Sequence, residues 1–466
     1  MKNIFHVLFL MLTVNNFVTA QTEIQVGNTT LTERDVATGL DIPWDIEWGP
    51  DDHIWFTERE GRVKRLDPVS GNLNTILDIT NKVINGGGEP GLLGMLFHPE
   101  WASNPKLYLV YTYGSFSNIT EKIVTYEWNG TELVNEEIIL DNIDGGGIHN
   151  GSRMTLLPDN TMLVTTGDVG SGSLSQNMNS VNGKVLRINL DGTRPDDNPF
   201  PNSLIYSLGH RNSQGIFTAP SGIVYSSEFG PNTADEINII EAGRNYGWPT
   251  VLGACNTGFE MVFCEENNVK EPIMEYTNTP SPNGLLVYDH PAIPEWQNKL
   301  MVSFLGGISL KQPRISVFDI SDDGLQISNE TRYFENFGRL RDICVNPHTG
   351  AIYIATNGPN YPGSSPNRIV EYYNADFVVD IEDQLDESQF VKVYPNPAKE
   401  LINVEVSESF IGRSFDIISF SSAAILSSHK INNTIQQVDI IDLPAGQYYI
   451  SVSNNKGLIT KVFVKN

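Results

Sequence analysis

The sequence predicts an all-β protein, a six-bladed β-propeller followed by a small C-terminal β-sandwich. Three observations carry that prediction. The chain is turn-rich, with 40 Gly and 26 Pro among 466 residues, and Val, Ile, Thr and Tyr fill the runs between turns, as pleated strands prefer. A tight turn followed by alternating apolar residues recurs through residues 21–375. Past an acidic break the strand pattern restarts at Val391 and runs to Asn466.

The first 20 residues stand outside the fold. Lys2, the apolar run Ile4 to Val14 and the small-residue site Val18-Thr19-Ala20 before Gln21 make a secretory signal. The run is shorter than the roughly 20 residues a spanning helix needs, and no other apolar stretch is long enough.

The repeat then becomes visible on its turns. Pro50-Asp51-Asp52 precedes HIWFTE, Pro158-Asp159-Asn160 precedes TMLVTTGD, Pro220-Ser221-Gly222 precedes IVYSSEFG, and Pro347-His348-Thr349-Gly350 precedes AIYIATN. Looser copies are His98-Pro99 ahead of KLYLVYT and Pro294-Glu295-Trp296 ahead of KLMVSFLGG. A third strand often follows, as in GRVKRLD at 61–67, GKVLRIN at 183–189, RISVFD at 314–319 and NRIVEY at 367–372. Short β units that cannot bury both faces alone, repeated in series, close into a propeller. Residues 376–390, with the run DIEDQLDE at 380–387, read as a solvated acidic linker. Residues 391–466 are of sandwich size.

Charge excludes one class of partner. Lys+Arg total 30 against 56 Asp+Glu, a net charge of −26, so a nucleic-acid footprint is absent. Cys255 and Cys264 flank a polar loop and could close a small disulfide ring outside the cytoplasm. Cys344, between Ile343 and Val345, reads as a buried free thiol.

Polar residues that no strand requires cluster between Leu208 and Pro249. Arg211 sits at a turn, and Arg339-Leu340-Arg341 has the period of two that sends both guanidiniums to one strand face. Converging arginines suit a small ligand with several carboxylates, although ordinary salt bridges with the abundant acids would use them equally well. His149 lies in the glycine-rich loop Gly145 to Gly151, ahead of Gly167-Asp168. A neutral imidazole there could take a proton from an alcohol, with Asp168 holding its tautomer. Gly230-Pro231, Asp235, Glu236 and Tyr246 offer oxygen ligands without sulfur or imidazole, a set that suits Ca²⁺.

The tail resembles the C-terminal sorting domain of the type IX secretion system. It carries Tyr394-Pro395-Asn396-Pro397, Leu443-Pro444-Ala445-Gly446-Gln447-Tyr448 and a basic end with Lys461 and Lys465. The resemblance implies export by that machinery to the cell surface or medium.

The run from Leu40 to Tyr372 resembles the soluble quinoprotein sugar dehydrogenases, propellers that use pyrroloquinoline quinone (PQQ) and Ca²⁺. It does so through PWDIEW (43–48), EPGLLGMLFHP (89–99), HNGSR (149–153), TTGD (165–168), GHRNSQG (209–215), EFGPNTADEIN (228–238), NYGWP (245–249) and RLRD (339–342). The resemblance implies oxidation of an aldose hydroxyl to a lactone, with electrons leaving to an external acceptor. It assigns His149 as general base, and Arg211 and Asn212 as residues that contact PQQ and stabilise the charge developing on its oxygen. Arg339 and Arg341 become carboxylate-binding residues, and Glu89 a residue of the substrate mouth. Gly230 and Pro231 are implied carbonyl ligands of the cofactor's Ca²⁺, and Glu236 and Tyr246 ligands of a second Ca²⁺. Leu305-Gly306-Gly307 stands where the glucose enzymes carry a lysine, Lys311 being the next one, and Ile148 stands where they carry an acid. The first departure implies weaker quinone affinity, and the second points away from glucose itself. The non-catalytic, hedgehog-interacting-protein-like propellers share the HNG form, and binding of a glycan or protein is the alternative.

Overall fold

The computed structural model describes residues 22–86, 88–307, 312–335, 337–359, 364–377, 391–419, 425–454 and 457–466. The expected signal, Lys311 and the expected linker from residue 378 lie outside them. The chain divides into two compact units, Met1–Phe377 and Val378–Asn466.

The first unit is built of small antiparallel sheets. Among the described residues there are six, five of four strands and one of five. One strand of each, Pro43–Trp48, Leu92–Phe97, Gly151–Leu156, Ser213–Thr218, Pro282–Tyr288 and Leu340–Val345, packs on its counterpart in the next sheet, and the last packs on the first. A closed series of this kind is propeller-like, and it gives the sheets a common centre. The series is locked by pairing of an early with a late strand of the first unit: Thr29–Leu40 pairs with Asn367–Asn374, Leu31 facing Asn374 and Leu40 facing Asn367.

The local sequence explains these strands. Ile54–Glu58, Met162–Thr166 and Ile352–Thr356 are buried at every position, because a sheet with neighbours on both faces needs apolar residues on both. The turns ahead of these three strands and of Val224–Glu228 place Asp52 (φ 59°), Asn160 (φ 63°), Gly350 (φ 69°) and Gly222 (φ 85°) in the left-handed region. Gly, Asn and Asp adopt it at the least cost. Between sheets, Val26, Leu31, Tyr288, Trp296, Ile352 and Tyr372 fill one of the contiguous cores.

Two features differ from the sequence expectation. The sheets carry a further strand, such as Leu73–Asp78, Leu133–Asp144 and Ile327–Tyr333, whose side chains are mostly half-buried or exposed. An outer strand has no second face to bury, so it lacks the apolar alternation that marks the others. The segment between the cysteines is a helix, Gly258–Glu266, rather than a loop. Thr257 and Glu260 cap it reciprocally, and a disulfide joins Cys255 to Cys264. Cys344 is a buried free thiol.

The second unit holds two small sheets among its described residues. Val391–Tyr394, Leu401–Val406 and Ile435–Asp439 form one; Ile425–Lys430, Ser414–Ser419, Gly446–Asn454 and Gly457–Lys465 form the other. They share one core of Ile402, Val404, Phe415, Ile417, Ile450 and Phe463.

Candidate active site

A cavity of about 880 Å³, its open mouth included, gathers side chains from several sheets. His149, Arg211, Glu89, Arg339 and Arg341 all line it, with Gly230, Pro231 and Asp235 on one wall. Asp168 and Asn212 stand directly behind that lining.

His149 is held by the loop before Gly151–Leu156. It adopts a left-handed backbone (φ 57°), a strained choice for a non-glycine residue. The surroundings fix it. Its amide donates to Glu89 Oε2 at 2.6 Å, and its carbonyl accepts from Val169 N at 3.2 Å. A Cβ on Gly167 would lie 1.7 Å from that carbonyl oxygen, so only glycine lets the two loops meet. The imidazole Nδ1 lies 2.6 Å from Asp168 Oδ1. Asp168 is in turn pinned by Gly170 N at 2.8 Å and by the Trp248 indole at 2.9 Å. Burial pushes the Asp168 carboxyl up, but the bonds from His149, Gly170 and Trp248 outweigh it and hold the group below the usual range. An ionised Asp168 accepts Nδ1–H and leaves Nε2 bare. That nitrogen has no hydrogen bond among the described residues.

The arginines approach from other strands. Arg211 donates from Nη1 to Phe229 O at 3.0 Å, its amide bonds Glu228, and its guanidinium lies over the Trp248 ring. Burial pulls its pKa down, against the nearby charges of Asp168, Glu228, Glu89 and Asp235. Arg339 and Arg341 leave one strand face, with Leu340 between them fully buried in the core. Arg341 Nη1 donates to Asn283 at 2.9 Å and Gln214 at 3.2 Å, and Arg339 Nη1 to Gly307 O at 3.3 Å. Burial and the charges of Arg339, Arg153 and Arg59 hold Arg341 well below the ordinary arginine range. Asn212 spans two elements: its Oδ1 accepts from Gly151 N at 3.1 Å, and its Nδ2 reaches Glu89 at 3.4 Å.

The oxygen-rich corner is split. Gly230 and Pro231 line the main cavity and also a smaller one with Glu236 and Tyr246. Both Asp235 oxygens accept backbone N–H groups, from Gly230 at 2.8 Å and Ser281 at 2.6 Å, and burial raises its carboxyl to about 7. Glu236 faces Glu228 and Glu275 across adjacent strands. Burial first, then the Glu228 charge, raises its carboxyl to about 8. Acids stacked in this way are the arrangement a divalent cation would relieve. The Tyr246 hydroxyl donates to Ile239 O at 2.5 Å, which leaves its carbonyl as the group available to an ion.

Sequence reasoning passed over Trp44, Arg59, Gln214, Trp248 and Asn283 as site residues. Arg59 directly follows the turn-borne strand Ile54–Glu58 and Arg211 precedes Ser213–Thr218; both lie outside a strand, so Arg59 was open to the same inference. Leu305 and Gly307 themselves bring no cation to the cavity, and among the described residues it is Arg339 that reaches this wall, at Gly307 O. His210 is structural: it bonds Glu228 and Ser207 and stacks on Tyr246. Among the described residues no helix is long and apolar enough to cross a membrane.

Residues 40–362 match the family model described as glucose/sorbosone dehydrogenase, and residues 392–466 that of the secretion system C-terminal sorting domain. The chain is 37% identical to quinoprotein glucose dehydrogenase B of Acinetobacter calcoaceticus over 47% of this chain and 52% of that one. It is 26% identical to an aldose sugar dehydrogenase of Escherichia coli over 68% of this chain and 88% of the other. The PQQ-bound aldose sugar dehydrogenase of Streptomyces coelicolor superposes with a TM-score of 0.63 at 28% identity, covering 74% of this chain and 98% of that structure.

Proposed function

Because the chain belongs to the glucose/sorbosone dehydrogenase family through residues 40–362, we propose that it is an exported quinoprotein sugar dehydrogenase. It oxidises an aldose hydroxyl to the lactone with PQQ and Ca²⁺. One observation carries the reading: the His149–Asp168 pair opens onto the same cavity as Arg211, Arg339 and Arg341.

The residues present fit the cofactor. Arg211 Nε and Arg341 Nε are buried with no hydrogen-bond partner among the described residues, and such orphaned donors are costly. A planar ligand bearing several carboxylates supplies acceptors for them. When bound, PQQ provides a hydride-accepting carbonyl, polarised by Ca²⁺ acting as a Lewis acid. The carbonyls of Gly230 and Pro231 would hold that ion, and Glu236 with the Tyr246 carbonyl a second one.

His149 takes the substrate hydroxyl proton on Nε2, and Asp168 fixes the tautomer and offsets the imidazolium charge. Arg211, beside Asn212, stabilises negative charge as it develops. Glu89 borders the substrate mouth through its bond to the His149 amide. The six sheets are read as six blades that hold these groups in place, and the tail as a β-sandwich recognised by the type IX machinery. Electrons leave to an acceptor outside the protein.

Reconstitution tests the proposal. Apoprotein given PQQ and Ca²⁺ should reduce a dye with a panel of aldoses and acquire quinone absorbance. Absence of both would leave a binding propeller as the better reading.

A further inference from the structure

We propose that Arg59 is a further carboxylate-binding residue of the cavity, beside Arg211, Arg339 and Arg341; the inference rests on the reading above. Arg59 follows the strand Ile54–Glu58 and turns inward to line the same cavity as those three. Its Nη1 donates to Gly88 O at 2.7 Å. That bond orients the planar group, and its other N–H groups have no hydrogen bond or ion pair among the described residues. The anchor is part of the wall that carries His149, because Glu89 N donates to Gly147 O at 3.1 Å.

The two acids that line the cavity are fewer than its four arginines, although the Glu89 charge favours Arg59, Arg211 and Arg341. Glu89 Oε2 is engaged by His149 N and Asn212 Nδ2, and Asp235 gives both oxygens to backbone amides. Arg59 and Arg341 feel each other's charge. In a chain of net charge −26, a cavity lined by four arginines and only two acids is a local excess of cations. Buried cations are costly unless paired, and a bidentate carboxylate is the partner a guanidinium fork matches best. On this wall the carboxylate belongs either to the quinone or to a sugar acid such as a uronate. The chemistry is shared, and the experiment separates the two.

Apoprotein with Ca²⁺ is titrated with PQQ, following tryptophan fluorescence, for wild type, Arg59→Gln and Arg341→Gln. KM for the best neutral aldose of the panel and for glucuronate is then measured on the loaded proteins. Weakening of PQQ binding by Arg59→Gln of about tenfold or more, diminished at high salt, supports the proposal with the cofactor as ligand. Unchanged PQQ binding, with KM for glucuronate rising about tenfold more than that for the neutral aldose, supports it with the substrate as ligand. No change in either arm, while Arg341→Gln weakens PQQ, overturns the Arg59 assignment alone. A wild type that binds no PQQ overturns the parent reading and this inference with it. Melting curves check folding. Should Arg59→Gln unfold, Arg59→Lys keeps the charge but not the fork, and carries the same two comparisons.

Discussion

His149 Nδ1 lies 2.6 Å from Asp168 Oδ1, and that oxygen also accepts the Gly170 amide. The arrangement commits Nδ1 to donating and turns a bare Nε2 to the cavity. Asp168→Asn places an amide where the acceptor stood, so the imidazole can hold its proton on the wrong nitrogen. The expected result is a fall in kcat of roughly 10²–10⁴-fold with a much smaller change in KM. His149→Ala should remove turnover. Steady-state dye reduction on the reconstituted enzyme measures both, and an Asp168→Asn enzyme at wild-type speed would refute the assignment.

Trp248 separates two contributions, because its indole N–H bonds Asp168 Oδ2 at 2.9 Å while its ring lies 5.4 Å from the Arg211 guanidinium. Trp248→Phe keeps a ring and loses the donor. A single hydrogen bond to a carboxylate is worth about 1.5–3 kcal/mol, so kcat should drop by roughly ten- to a hundredfold, less than for Asp168→Asn. Equal losses in the two variants would mean that orientation by the indole, not the carboxylate, dominates.

The clamp on His149 gives a second ordering. Glu89 Oε2 accepts the His149 amide at 2.6 Å and Asn212 Nδ2 at 3.4 Å. Glu89→Gln retains an oxygen at that place, whereas Glu89→Ala leaves an amide with no acceptor, at a cost of about 1–3 kcal/mol. Thermal melting of the apoproteins should therefore rank wild type and Gln together, above Ala. If Gln melts as low as Ala, the negative charge rather than the hydrogen bond is what Glu89 contributes.

What could be read from the chain, and what could not, follows from how local each feature is. The turns at Asp52, Asn160, Gly222 and Gly350 are written in a few adjacent residues, and the strands after them in apolar composition. Arg339 and Arg341 were legible as a same-face pair because strand geometry has a period of two. The outer strands were not, since half-exposed side chains show no apolar face. The helix Gly258–Glu266 has a visible cap in Thr257 and Glu260, but its exposed apolar residues Phe259, Met261 and Val262 give no amphipathic stripe. The contact between Trp248 and Asp168 spans 80 positions. It exists only because neighbouring sheets close on one centre, and no short window of sequence contains it.

Glu121 gives a pH test that is independent of any cofactor. It is buried, Oε2 accepts from Ser152 Oγ at 2.9 Å, and Oε1 has no partner among the described residues. Burial, only partly offset by Ser152, raises the carboxyl from 4.5 to about 8. Between those two values the native state holds a proton that the unfolded chain has released, so stability declines as pH rises through that window. Below it both states are protonated and nothing is lost; above it the full cost of a buried carboxylate is present. Glu121→Gln keeps the shape and an acceptor for Ser152 but cannot ionise. Urea unfolding of the apoprotein should find the variant equal to wild type near pH 4 and more stable near pH 9, by on the order of a few kcal/mol. Because every other titrating group is common to both chains, an advantage that does not grow with pH would show that Glu121 is solvated rather than buried as a neutral acid.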